Sequence, residues 1–298
     1  MAPDHLPTPE GPQDLKLSRR TLGGLLFTGY AAAALGAEAR PIVTGDHGLI
    51  AGSVSFVGSG ETDYPPSLPA YVARPQGPGP YPVVIVVNEI FGLHAYIQDV
   101  CRRLARQGYV AMAPGYFARA GDPATMTGFP EIMAVVRATP HAQVMADTGA
   151  ALTWLDSQPW ADIARAGITG FCWGGTVVWM ACAAHDFKAG GAFYGRMVAP
   201  SQNAEADRRW PVEIAGELRC PVLGFYGDQD QGIPLDTVEQ MRAALLAAGR
   251  TDSEIIVYPG ADHGFHADYR PMYDAAAATD AWTRLSTLFA ERLGGDAS

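Results

Sequence analysis

No run of basic residues appears anywhere in the 298-residue chain. Its 21 lysines and arginines are scattered singly or in pairs against 31 acids, for a formal net charge of −10. Binding to a nucleic-acid backbone requires clustered cations, so nucleic acid is set aside as a partner. The four cysteines (Cys101, Cys172, Cys182, Cys220) never adopt the C-x-x-C spacing of a zinc or thioredoxin-like site. If Cys172 opens a helix containing Cys182, the helical rise separates them by roughly 15 Å. A disulfide needs Cα atoms within about 7 Å, so that pair is excluded. The histidines and acids lack ligand spacing, and neither a metal nor a cofactor is implied. What remains, at 48% apolar residues, is an ordinary globular composition with a sizeable core.

Residues 1–39 read as a leader. Met1 to Gln13 is polar and proline-rich, the composition of a disordered segment. Ser18-Arg19-Arg20-Thr21-Leu22 resembles a twin-arginine export motif, followed by a moderately apolar stretch from Leu22 to Leu35 and the cleavage candidate Ala37-Glu38-Ala39. That stretch is short and weak for a permanent span, which needs about 20 residues. The expectation is a periplasmic or otherwise exported protein with no stable membrane span in its mature form. The alternative is a cytoplasmic protein whose N-terminal helix packs on the domain.

Residues 40–298 show no second composition shift and no internal repeat, and read as one domain. Gly48 to Val57 and Leu68 to Arg74 predict two strands, and the β-branched run Pro82 to Asn88 predicts a strand buried on both faces. Further strands are expected at Tyr109 to Ala113, at Ala166 to Thr169, at Gly190 to Tyr194, at Pro221 to Tyr226 and at Glu254 to Tyr258. Helices are expected at Ala95 to Gln107, Phe129 to Val136, Gln143 to Ser157, Thr176 to Ala184, Leu235 to Ala248 and about Tyr273 to Leu293. This alternation specifies an α/β fold with a mostly parallel sheet flanked by helices on both faces. Ligands of such sheets bind at the carboxyl ends of the strands.

Gly170-Phe171-Cys172-Trp173-Gly174-Gly175 has the G-x-nucleophile-x-G form of a nucleophile elbow, with cysteine as the nucleophile. A buried packing cysteine in a glycine-rich turn is the alternative. A thiol nucleophile needs a base, and the base an orienting acid, in the chain order nucleophile, acid, histidine. His263 follows the last strand between Ala261-Asp262 and Gly264, and is preferred as base over His266. His185 reads as a helix C-terminal residue interacting with the dipole. In the turn Gly227-Asp228-Gln229-Asp230, Asp230 is preferred as the acid, with Asp228 stabilising the turn and Pro234 starting a helix. An oxyanion hole would use the N–H of Trp173 and a second N–H from the loop after Asn88. Glu89 ends an apolar strand, where a carboxylate needs a job or a partner, such as an ion pair with Arg119.

Beyond these readings, the chain resembles the dienelactone hydrolase (carboxymethylenebutenolidase) family of the α/β-hydrolase superfamily, from about Ser53 to Leu293. The likeness rests on Asn88-Glu89-Ile90-Phe91-Gly92, Tyr116-Phe117-Ala118-Arg119, the cysteine elbow, Phe193-Tyr194-Gly195, Gly227 to Pro234 and Asp262-His263-Gly264-Phe265. The resemblance implies an α/β-hydrolase fold and a Cys172-Asp230-His263 triad cleaving a lactone or ester through a thioester. It implies that Glu89 contacts the resting thiol, that Ile90 supplies the second oxyanion N–H, and that Arg119 pairs with a substrate carboxylate. Tyr116, Tyr194 and Phe265 are placed around the substrate on the same ground. One departure concerns specificity: a second arginine of the family falls here on Ala267, and Arg270 is the nearby substitute. Two other readings stay open, a broad carboxylesterase or lactonase that does not act on dienelactone, and a non-catalytic thiol redox sensor. A small-molecule lactone or ester is the expected partner, and a monomer the default.

Overall fold

The computed structural model describes residues 41–60, 67–200 and 208–294. The leader read from residues 1–39 lies outside them. The strands are β1 (Leu49–Val57), β2 (Ser67–Pro75), β3 (Tyr81–Val87), β4 (Val110–Pro114), β5 (Ala161–Phe171), β6 (Ala189–Phe193), β7 (Val222–Gly227) and β8 (Glu254–Tyr258). The helices are α1 (Ala95–Arg106), α2 (Phe129–Arg137), α3 (His141–Asp156), α4 (Trp173–Ala184), α5 (Leu235–Ala247) and α6 (Ala275–Leu293). All eight strands form one sheet in the order β1-β2-β4-β3-β5-β6-β7-β8. β1 pairs antiparallel with β2, and β2 with β4; every other pairing is parallel. This is the mostly parallel α/β arrangement expected from the alternation, and it is consistent with the α/β-hydrolase fold that the resemblance implies.

Burial follows the sequence pattern. Val83 to Val87 are wholly buried, as a strand covered on both faces must be. β6 shows that cover directly, because successive residues of a strand face opposite sides. Gly190 abuts Cys182 and Val178 of α4, whereas Gly191 abuts Leu285 of α6. α1 lies beside α6 through a Gln107–Ser286 hydrogen bond, and α3 beside α4 through His185 and the Met145 carbonyl. α6 is capped at both ends: Asp274 accepts from the N–H groups of Ala276 and Ala277, and Gly294 closes the helix in the left-handed region.

β5 is longer than the sequence pattern indicates. Its first half, Ala161 to Arg165, carries an Asp162–Arg165 ion pair and is only partly buried, so no apolar run marks it. At its far end Phe171 stands in register with Phe193 of β6, which pairs with Phe225 of β7. Their rings stack at centroid distances of 4.7 Å for each neighbouring pair. This aromatic floor closes the core beneath the carboxyl ends of the parallel strands, where the loops after β3, β5, β6, β7 and β8 converge.

Candidate active site

Cys172 joins β5 to α4 with φ 56° and ψ −118°, a conformation that costs a non-glycine residue about 1–3 kcal/mol. The surroundings impose it. The Cys172 N–H donates to the Phe193 carbonyl at 3.0 Å, and the Cys172 carbonyl accepts from Gly175 at 2.9 Å. A Cβ on Gly174 would sit 2.5 Å from the Val87 carbonyl oxygen, and one on Gly175 2.5 Å from that of Phe193. Backbone therefore presses on the elbow from β3 and from β6, and only glycine fits at positions 174 and 175.

His263 and Asp230 meet across two loops. His263 Nδ1 donates to Asp230 Oδ2 at 2.7 Å, and Asp230 is almost wholly buried. The other carboxylate oxygen, Oδ1, accepts from the N–H groups of Gly232 and Ile233 at 2.8 and 3.1 Å, which fixes the acid from its own turn. Asp228 does more than stabilise its own turn: it accepts from Gly260 N–H at 2.7 Å and so ties the β7 loop to the loop carrying His263. Pro234 is the cap before α5 and not its first residue.

Burial would lower the His263 pKa, but the charge of Cys172 and hydrogen bonds to Asp230 and Cys172 outweigh it and raise the imidazole to about 10. An ordinary histidine titrates near 6.5, so the folded state holds its proton more tightly than the unfolded chain. The resulting stability is complete below pH 6.5, declines as pH rises, and is gone above about pH 10. The gap in thermal midpoint between the native protein and His263→Gln is therefore expected to be widest at pH 6 and to narrow steadily toward pH 10. A gap that widens with pH would reverse this assignment.

Cys172, Asp230 and His263 all line one cavity of about 920 Å³. Ile90, Trp173, Tyr194 and Arg270 line it too. Trp173 is the first residue of α4, so its N–H has no acceptor within the helix. Tyr194, at φ 37°, is wholly buried, and its hydroxyl has no hydrogen-bond partner. The expected loop residues thus converge, and Arg270 does reach the cavity that Ala267, wholly buried, does not line.

Three expected substrate contacts lie elsewhere. Arg119 is committed to the buried Asp147 of α3, through Nη1 to Oδ2 and through Nη2 to Oδ1 at 2.9 Å, and also donates to the Ser59 carbonyl at 2.6 Å. Tyr116 is wholly buried, its hydroxyl shared with Thr148 at 2.9 Å. Phe265 is wholly buried against Tyr194 and Tyr258. Tyr116 and Phe265 stand behind the lining residues Trp173 and Tyr194, whereas Arg119 joins α3 to the end of β1; a linear motif places a side chain in the chain but does not fix its direction.

Glu89 also differs from expectation. It pairs with neither Arg119 nor the thiol: Oε2 accepts from the Tyr269 hydroxyl at 2.6 Å and lies 3.2 Å from His94 Nε2. Burial alone would raise its pKa, but His94, the Arg270 cation and the Tyr269 hydroxyl together hold it below the usual carboxylate value. Sequence showed that a buried Glu89 needs partners, but His94 and Tyr269 carry no signature that names them. The two other histidines that follow Cys172 in the chain, His185 and His266, are structural. His185 donates to the Met145 carbonyl at 2.9 Å, and burial lowers its pKa, so it tethers α3 instead of meeting a helix dipole as a cation. His266 is buried and joined to the Tyr96 hydroxyl at 2.6 Å.

The sheet, the strained elbow and the shared cavity define an α/β-hydrolase. The Dienelactone hydrolase family pattern matches residues 68–293. A Methylorubrum extorquens protein assigned as a carboxymethylenebutenolidase is 47% identical over 278 residues, 92% of either chain. An Escherichia coli protein assigned likewise is 45% identical over 276 residues, covering 91% of this chain and 97% of that one. A crystal structure of a Klebsiella pneumoniae protein assigned as a dienelactone hydrolase superposes with a TM-score of 0.74 at 46% identity, covering 82% of this chain and 99% of that one. The chain belongs to the dienelactone hydrolase family and is a hydrolase of ester bonds. No helix among the described residues is long and apolar enough to cross a membrane.

Proposed function

We propose that the enzyme hydrolyses a lactone or carboxylic ester by covalent catalysis at Cys172. The observation that carries this reading is the His263–Asp230 pair, hydrogen-bonded at 2.7 Å, opening on the same cavity as the elbow cysteine. The Cys172 thiolate attacks the carbonyl carbon, and the N–H groups of Trp173 and Ile90 hold the oxyanion. Protonated His263 gives its proton to the departing alkoxide as the carbon–oxygen bond breaks, leaving a thioester. Neutral His263 then takes a proton from water, hydroxide displaces the thiolate, and the acid is released. Asp230 keeps the imidazole oriented throughout.

Arg270, which lines the cavity with Cys172, takes the place of Arg119 in this reading. Its presence in the cavity favours substrates with a carboxylate close to the scissile bond, and the carboxymethylenebutenolidase assignment of the relatives supports the lactone class. A thiol sensor would have no use for Asp230 and His263. Brief reaction with p-nitrophenyl acetate, acid quench and peptide mass analysis is expected to find one acetyl group on the peptide containing Cys172. Acetylation confined to other residues would dismiss the thioester.

We also propose export, on the strength of Arg19-Arg20 before the apolar stretch. Fractionation of producing cells should place the native protein outside the cytoplasm and an Arg19→Lys, Arg20→Lys variant inside it. Equal distribution of the two would remove the export reading.

A further inference from the structure

The loop from Asn88 to His94 brings Ile90, whose N–H the reading above gives to the oxyanion, to the edge of the cavity. Its backbone is tightly wound. The Glu89 carbonyl accepts from Gly92 N–H at 3.1 Å and from Asn88 Nδ2 at 2.7 Å, and the Gly92 carbonyl from His94 N–H at 3.0 Å. At one end the Asn88 carbonyl oxygen presses on the elbow, 2.7 Å from where a Cβ on Gly174 would stand. At the other end His94 holds the cap position of α1, and its side chain makes no capping hydrogen bond. Such positions favour Ser, Thr, Asp or Asn, whose side chains satisfy the first N–H groups of the helix. The imidazole turns back instead, bringing Nε2 to 3.2 Å from Glu89 Oε2.

A second hold on the same oxygen comes from outside the loop. Tyr269, six residues beyond His263, donates its hydroxyl to Glu89 Oε2 at 2.6 Å. Its ring meets that of His94 edge-on at a centroid distance of 5.5 Å, and Arg270 lies 5.6 Å from the Phe91 ring centroid. Glu89 is wholly buried, so losing either donor leaves a carboxylate short of partners, and the arrangement resists being pulled apart. The Glu89 side chain thus joins its own loop, the start of α1 and the loop that carries the base.

The Ile90 N–H belongs to the peptide unit that begins at the Glu89 carbonyl. That carbonyl is held by Gly92 and Asn88, and the tethered side chain holds the Glu89 Cα; together they fix where the N–H points. We propose that His94 and Tyr269 are positioning residues that tether Glu89 and thereby aim the Ile90 N–H at the oxyanion. This rests on the hydrolase reading above and gives Glu89 a task apart from the thiol. Removing an oxyanion donor outright costs ~10²–10³-fold in kcat, so loosening one of two tethers is expected to cost about tenfold.

The test compares Tyr269→Phe, His94→Phe and His94→Gln with the native enzyme on p-nitrophenyl acetate. Each Phe variant should lower kcat and kcat/KM together by about tenfold, with KM held within about twofold, as loss of a contact made only in the transition state does. His94→Gln, whose amide N–H can take the place of the imidazole's, should recover most of that loss. Alkylation of Cys172 by iodoacetamide needs the thiolate and passes through no oxyanion. Its rate, followed on the Cys172 peptide, should therefore match the native rate in all three variants. Alkylation that slows in step with hydrolysis would assign Glu89 to ionising the thiol and overturn the proposal. Unchanged kcat in both Phe variants, a change confined to KM, or no recovery in His94→Gln overturns it too. If the native protein hydrolyses no ester, the hydrolase reading fails separately. Affinity for trifluoroacetophenone, which captures a thiolate as a tetrahedral oxyanion, then decides the tether. Binding about tenfold weaker in the Phe variants upholds it; equal binding, or none by the native protein, overturns it.

Discussion

Cys172→Ala is expected to lower kcat/KM for p-nitrophenyl acetate by ~10³-fold or more, leaving the fold in place. The magnitude follows from the way a nucleophile and its base act as a unit: once the attacking atom is gone, only binding and oxyanion stabilisation remain. Alanine meets the same backbone geometry at φ 56° as cysteine does, so the strain of the elbow is unchanged. The small cavity left by one sulfur opens on solvent-accessible space and not on the core. Circular dichroism and the thermal midpoint should therefore stay close to those of the native protein. Activity retained within tenfold would remove Cys172 as nucleophile and turn attention to another group in the cavity.

How much of this was legible beforehand depended on whether a feature was local. The elbow was legible because backbone pressure from Val87 and Phe193 forces glycine at Gly174 and Gly175, and glycine is visible in a sequence. Asp230 and His263 were legible because each follows a short apolar strand in the order the chemistry requires. The partner of Arg119 was not legible, because Asp147 lies within a helix and carries no motif. Glu89 was flagged correctly as needing partners, yet His94 and Tyr269 are set by packing between distant segments.

Arg119→Ala is expected to cost stability and to leave substrate preference alone, the opposite of what a carboxylate clamp would do. Asp147 is wholly buried and Arg119 mostly so, and removing one partner strands a charge in the interior. Breaking such pairs typically costs about 3–5 kcal/mol. Asp147 Oδ1 keeps the Ser59 N–H and hydroxyl as donors at 2.8 and 2.7 Å, which favours the lower end of that range. A loss of ~3 kcal/mol corresponds to a drop in Tm on the order of 10 °C for a domain of this size. The double variant Arg119→Ala, Asp147→Asn should recover part of the loss, because the stranded charge is gone as well. Kinetics separate the two roles. The preference for an anionic over a neutral lactone should be the same in Arg119→Ala as in the native enzyme, and should fall about tenfold in Arg270→Ala, which removes the cation charge-balanced by Glu89. If the arginine at 119 governs the anionic preference and the one at 270 does not, the placement of the carboxylate beside Arg270 is wrong.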